Sequence, residues 1–167
     1  MAGPFPGFLN RCRARVLLTE LLSAERIRVP LASKSKDAVL EELVKVLEQA
    51  GVVDDPAATL RAVRQREEVL STGIGSGVAI PHGKSDGASG LAMAAGVAAE
   101  PMDFDSPDGQ PVRIFFLLVG PESAAGAHVK ALSRISRLVR REELRERLAA
   151  AATPDEFMAV VAEAEAE

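Results

Sequence analysis

Apolar positions recur along this chain at two spacings, and the switches between them mark out its elements. Leu17 to Leu22 predicts a short helix and Ile27 to Leu31 a short strand. Val39, Leu40, Leu43, Val44 and Leu47 then lie on one helical face, in a helix that Ser35 can cap, that runs to Ala50 and that Gly51 can stop. Asp55-Pro56 reads as an N-cap followed by a first-turn proline, opening a helix that reaches Arg66 or Glu67. Ser71 to Gly77 is a glycine-rich turn without helical character. Val78-Ala79-Ile80 predicts a strand that stops at Pro81, beside His82. Leu91 to Ala98 is a weaker strand, because its alanines and Gly96 are poor strand formers, and Asp105 to Gln110 is a turn. Val112 to Val119 is unbroken and apolar, as in a strand buried on both faces. The last third is helical. Val129, Leu132, Ile135 and Val139 share one face, and Leu144 and Leu148 mark a second helix. Thr153-Pro154-Asp155-Glu156 is a capping box ahead of Phe157, Val160, Val161 and Ala164. The acidic, alanine-rich end after it is expected to fray. Strands mixed with helices, without internal repeats or a long linker, imply one α/β layered domain over residues 17–167. Residues 1–16, with Gly3, Pro4, Pro6 and Gly7, read as a loose extension.

Composition narrows the class. Apolar residues make up 47% of the 167, enough for a core, but there is no Trp or Tyr, so Val, Leu, Ile and Ala must build it. The net charge of −4 comes without a basic stripe, which argues against nucleic acid as a partner. Cys12 is the only cysteine and cannot form an internal disulfide, which fits a reducing compartment. No apolar stretch approaches the roughly 20 residues that cross a bilayer. Nor does the start read as a secretory signal. The expectation is a cytoplasmic protein without membrane insertion.

The candidate chemistry centres on two histidines, His82 and His128. His82 follows a buried-looking strand and lies a few residues beyond Gly73, Gly75 and Gly77. Backbone N–H groups in such glycine turns can converge on an anion, and a neutral imidazole nitrogen is a good nucleophile near neutral pH. The same residues also suit a tight structural turn with a satisfied polar side chain. Gly83-Lys84-Ser85 resembles the end of a phosphate-binding P-loop, but the earlier glycine would have to stand at position 78, which is Val78. Gly73-Ile74-Gly75-Ser76-Gly77 lacks the spacing of a dinucleotide fingerprint. Two distant histidines and one cysteine make no metal pattern, and no carboxylate pair suggests glycoside hydrolysis. Taken alone, His128 reads as a capping or surface residue, and Arg66 as a solvated or dipole-compensating charge. The arginines from Arg134 to Arg147, interleaved with Glu142, Glu143 and Glu146, read as a wet helical face.

Taken together, these segments resemble a known signature. Arg66-Glu67-Glu68, then Ser71-Thr72-Gly73-Ile74-Gly75-Ser76-Gly77-Val78-Ala79-Ile80-Pro81-His82-Gly83-Lys84, is similar to the active-site region of phosphotransferase-system enzyme IIA. The likeness is to the fructose, mannitol and nitrogen-regulatory superfamily. Asp108-Gly109-Gln110-Pro111-Val112, Pro121-Glu122 and His128-Val129-Lys130-Ala131-Leu132-Ser133 extend it over residues 17–163, with Val129 where leucine is more usual. The resemblance implies a mixed, mainly five-stranded sheet flanked by helices on both faces. It implies phosphotransferase activity without a cofactor or metal. His82 would accept a phosphoryl group from an HPr-like phosphocarrier, Arg66 would contact that group and His128 would be the second active-site histidine. Thr72 and the backbone around Gly73, Gly75 and Gly77 are candidate neutral donors to the phosphate. Three roles remain open: a nitrogen-branch regulator binding target proteins, a transport enzyme IIA donating to a cysteine of a fructose-type enzyme IIB, and a binding module that has lost the relay. The first is preferred, because no enzyme IIB, transporter or HPr segment accompanies these residues.

Overall fold

The computed structural model describes residues 15–167, so residues 1–14 of the expected extension lie outside the described residues. The chain runs through α1 (Leu18–Leu21), β1 (Ile27–Leu31), α2 (Lys36–Gln49), α3 (Pro56–Val69), β2 (Gly73–Gly75), β3 (Val78–Ala79), β4 (His82–Lys84), β5 (Ala92–Met102), β6 (Val112–Gly120), α4 (Ala125–Val139), α5 (Glu142–Ala150) and α6 (Pro154–Ala166). The expected caps are made. Ser35 and Asp55 accept from the N–H groups of Ala38 and Ala58, and Thr153 accepts from that of Glu156. Gly51 ends α2 at φ 78°, a conformation that favours glycine.

The strands form one mixed sheet in the order β1-β5-β6-β3-β2, with β4 also paired to β6. β3 and β4 lie end to end along the same side of β6: Val78 pairs with Ile114 and His82 with Leu118, both in parallel register. Six strands therefore occupy five places. The strand expected to stop at Pro81 is only interrupted there. Pro81 has no N–H to give, but its carbonyl accepts from Leu118 at 3.0 Å, and pairing resumes at His82.

β6 is buried on both faces, as its unbroken apolar run implies. Ile114, Phe116 and Leu118 pack with Ile135, Leu148 and Phe157 under α4, α5 and α6. Phe115, Leu117 and Val119 pack with Val39, Leu43, Leu47 and Val63 under α2 and α3. Each such side chain contributes about 1.5–3 kcal/mol by leaving water. β5 is longer than its composition suggests and lies between β1 and β6. Glycine is needed at position 96 in it: a Cβ there would come within 2.7 Å of the Leu31 side chain.

Two expectations in the helical third are corrected. Val129 does not join the buried stripe of α4; it is 64% exposed, and the buried residues are His128, Ala131, Ile135, Leu138 and Val139. Periodicity identifies a helix, but counting only apolar residues turned this one by about one position, since its inward face begins with a histidine. The chain end does not fray either. α6 continues to Ala166, and the Glu165 carboxylate accepts the N–H groups of Leu18 and Thr19 at 2.8 and 2.9 Å, closing the open end of α1.

Candidate active site

His82 begins β4, on the edge of the sheet beyond the end of β2. Its register beside Leu118 turns it toward the α4 side, where His128 projects inward from the first turns of that helix. The two rings meet edge to face, with centroids 5.6 Å apart at 65°. The next residue, Gly83, faces the other layer. A Cβ there would stand 2.9 Å from the Val63 nitrogen and 3.1 Å from the Ala62 carbonyl carbon. Glycine thus lets α3 lie directly on β4, which brings Arg66, one turn beyond Val63, to the His82 edge. Gly83→Ala is expected to push α3 outward and to cost about 1–3 kcal/mol, read as a lower urea midpoint.

Hydrogen bonding assigns the His82 protons. Nδ1 lies 2.8 Å from the Ile80 carbonyl, so Nδ1–H donates and Nε2 keeps its lone pair. The ring is half-buried. Burial holds its protonated form down, the Arg66 and Lys84 charges add to this, and the Ile80 bond and Glu67 oppose it. The free nitrogen is therefore neutral and nucleophilic at pH 7.

His128 is 3% exposed, and its Nδ1 is buried without a partner among the described residues. A bare lone pair is cheaper to bury than an unpaired N–H, so the proton belongs on Nε2. Burial, then the neighbouring His82 and Lys84, lower its pKa to about 4 from the ordinary 6.5, against Glu122. Lys84 and Glu122, whose charges both act on His128, pair with each other at 3.5 Å.

Both imidazoles resist protonation in the fold, so below pH 6.5 the unfolded chain binds more protons than the folded one. Stability is expected to fall as the pH drops from 6.5 toward 4, and His128→Phe should make the fall shallower. Urea midpoints measured on both sides of that window check this.

Arg66 sits at the C-terminal end of α3, donates to the Leu70 carbonyl at 2.8 Å, and lies close enough for its charge to act on His82. The structure thus brings His82, Arg66 and His128 together.

It does not bring the expected phosphate donors with them. Gly75, Ser76 and Gly77 have φ of 89°, 56° and 80° and form the turn between β2 and β3. That turn lies at the far end of β3: His82 stands four residues, about 13 Å, further along β6 than Val78. The turn's anion is the chain's own Asp108, whose carboxylate accepts the Ser76 N–H at 2.9 Å and is held below the usual carboxylate range by backbone donors. The Gly73 N–H goes to the Ser71 hydroxyl at 3.1 Å, and a Cβ on Gly73 would overlap the Ser106 hydroxyl. Thr72 is closer to the site, but its N–H and O–H both go to Glu67. These residues shape the loop rather than face the ring.

Glu67 stands in the quoted signature without an assigned role, although its position was informative. Thr59, Val63 and Glu67 recur at intervals of four along α3 and form its buried stripe. A carboxylate on an inward face signals buried partners.

Residues 20–164 match the family described as phosphoenolpyruvate-dependent sugar phosphotransferase system, EIIA 2. A nitrogen regulatory protein of Bradyrhizobium diazoefficiens is 38% identical over 87% of this chain and 94% of its own length. The fructose-specific EIIABC component of Bacillus subtilis is 40% identical over 86% of this chain, which spans only 23% of that larger protein. Among solved structures, nitrogen regulatory protein IIA-Ntr of Neisseria meningitidis superposes with a TM-score of 0.80 at 33% identity, over 86% of this chain and 98% of its own. The mannitol IIA of Escherichia coli, solved in complex with phosphorylated enzyme IIB, shares the fold at 21% identity and TM-score 0.74, over 85% of this chain and 97% of its own.

Proposed function

Because this chain belongs to the type 2 EIIA family of the phosphoenolpyruvate-dependent sugar phosphotransferase system, a family of phosphotransfer domains, we propose that it relays phosphoryl groups through His82 Nε2. The observation that carries this is the Nδ1–H bond to Ile80, which leaves Nε2 unprotonated on a ring that meets His128 edge to face and feels the Arg66 charge.

The chemistry is a displacement between two imidazoles. The His82 Nε2 lone pair attacks phosphorus, the P–N bond of a donor phosphohistidine breaks, and the donor ring leaves with that electron pair. Bond energies nearly cancel, so the protein's work is alignment and charge neutralisation. Arg66 meets the equatorial oxygens with a planar, permanently charged fork. His128 Nε2–H supplies a neutral donor on the other side. Nδ1–H stays on His82 throughout, and the Ile80 carbonyl stabilises the positive charge on the phosphorylated ring. That charge makes the ring a good leaving group for onward transfer.

A donor of this kind is a protein, and exposed apolar residues follow Arg66 and His128 in the chain. Val69 and Leu70 beyond Arg66, and Val129 beside His128, are exposed large apolar residues suited to docking an HPr-like phosphocarrier. The likeness to nitrogen regulatory proteins favours a regulatory role, in which the state of His82 selects which target proteins bind in the cytoplasm. The likeness to the fructose EIIABC component favours a second reading, donation to a cysteine of an enzyme IIB.

Incubation with labelled phosphoenolpyruvate, enzyme I and each carrier, followed by enzyme IIB, separates the readings. Label that stays on this chain supports regulation, and label that moves to enzyme IIB supports transport. No label at all leaves only a binding module and removes the relay.

A further inference from the structure

We propose that Glu67 is a positioning residue for His82: through Thr72 and Ile80 it holds the carbonyl that decides which nitrogen of the His82 ring carries the proton. This rests on the reading of His82 as the phosphoryl acceptor.

Glu67 is 6% exposed. A buried carboxylate costs several kcal/mol unless its lone pairs are filled. Its partners fill them: the Thr72 N–H at 3.1 Å from both oxygens, the Thr72 hydroxyl, and Lys36 Nζ at 2.9 Å. Lys36 is held in turn by Asp105 at 3.1 Å and lies over the Phe104 ring. Thr72 is thus fixed by its N–H and its side chain, which leaves its carbonyl aimed at the neighbouring strand. That carbonyl accepts the Ile80 N–H at 3.0 Å, and the Ile80 carbonyl accepts His82 Nδ1–H at 2.8 Å.

On the other side, the Pro81 carbonyl is tied to Leu118 N–H at 3.0 Å. The Ile80–Pro81 peptide therefore has two anchors. The sheet provides one, and Glu67, acting through Thr72, provides the other. Loss of the second lets the Ile80 carbonyl swing away from Nδ1, and the ring can then place its proton on Nε2, where no lone pair is left to attack phosphorus. A carboxylate suits the anchor because it accepts three donors at once. Glutamine would set an NH2 group against the Thr72 N–H or Lys36, both of which are donors.

The test compares full-length Glu67→Gln, Thr72→Val and Thr72→Ser with the wild type, at a temperature where thermal melts report all four folded. Long-range 15N–1H correlation spectra read the His82 tautomer, and the rate of labelling by phosphorylated carrier is measured in parallel. In Glu67→Gln and Thr72→Val the Nδ1–H tautomer should lose its dominance, and labelling should slow by on the order of tenfold. Thr72→Ser, which keeps both donors, should match the wild type. Glu42→Gln is the control, because Glu42 is another anchoring carboxylate, accepting the Ser33 and Ala32 N–H groups at 2.8 and 3.1 Å. It should leave the tautomer in place.

A wild-type tautomer and rate in both Glu67→Gln and Thr72→Val would overturn the proposal, as would an equal tautomer shift in Glu42→Gln. Should Glu67→Gln fail to fold, Thr72→Val decides alone. A wild-type protein that takes no label removes the relay reading instead, and the tautomer spectra still test the anchor.

Discussion

His82→Ala is expected to fold and to take up no label from a phosphohistidine donor, a loss of at least roughly a thousandfold. The size of the effect follows from the lack of a substitute. His128 lies close, at 5.6 Å between ring centroids, but its Nδ1 is buried and its Nε2 carries the proton. The lone pair of His128 therefore points into the fold, and a donor phosphate at the mouth meets an N–H. The structural cost is small, because His82 is half-buried and gives the fold one bond, to Ile80. Losing that bond should cost about 1 kcal/mol. Gel autoradiography beside a thermal melt reads both quantities. Label retained on a folded His82→Ala protein would move the acceptor elsewhere and end the assignment.

Arg66→Ala should slow labelling by about a hundred- to a thousandfold, the usual effect of removing a preorganised donor from developing charge. Lysine at this position should recover part of that loss, since it restores the charge but not the two-pronged fork. The effect on stability should be slight, because the Arg66 bond to the Leu70 carbonyl is at an exposed helix end that water can satisfy. The lifetime of the phosphorylated protein adds a second readout. Without the guanidinium the phosphate oxygens are open to water and the label should be lost faster. Quenched-flow labelling and the hydrolysis half-life measure the two effects, and unchanged values for both would place Arg66 outside the site. Substitution of Lys84 offers a useful contrast. Its charge also reaches His82, but Glu122 already pairs with it at 3.5 Å.

Much of the architecture was legible because local chemistry and tertiary structure agree. Ser35, Asp55 and Thr153 cap the helices that they precede, and β1 spans Ile27–Leu31 as expected. The apolar run at Val112 to Val119 is the strand with both faces covered. Where the reading missed, a long-range partner was responsible. β5 carries glycine at 96 because Leu31 presses there, and α6 holds to its end because Glu165 closes α1. Val129 turned outward because His128 took the inward place.

The site divides in the same way. His82 stood out by residue type, Arg66 and His128 only through the family resemblance, and the fold sets the two rings edge to face with the Arg66 charge acting on His82. The glycines beside them in sequence were misleading as phosphate donors. A strand carries neighbours apart at about 3.3 Å per residue, so Gly75 and Gly77 finish at the far end of β3.

Likeness to a known family pointed to His82, Arg66 and His128; the order of residues by itself determined the helices, where they are capped and which strand is doubly buried. Those properties depend on backbone hydrogen bonding and side-chain period within a few neighbours. Only the tertiary structure decided which His82 nitrogen is free, how close the two rings lie, and that Glu67 and Asp108 take up the loop's donors. Each of these depends on burial and on partners brought in from other elements, and no local pattern encodes such partners.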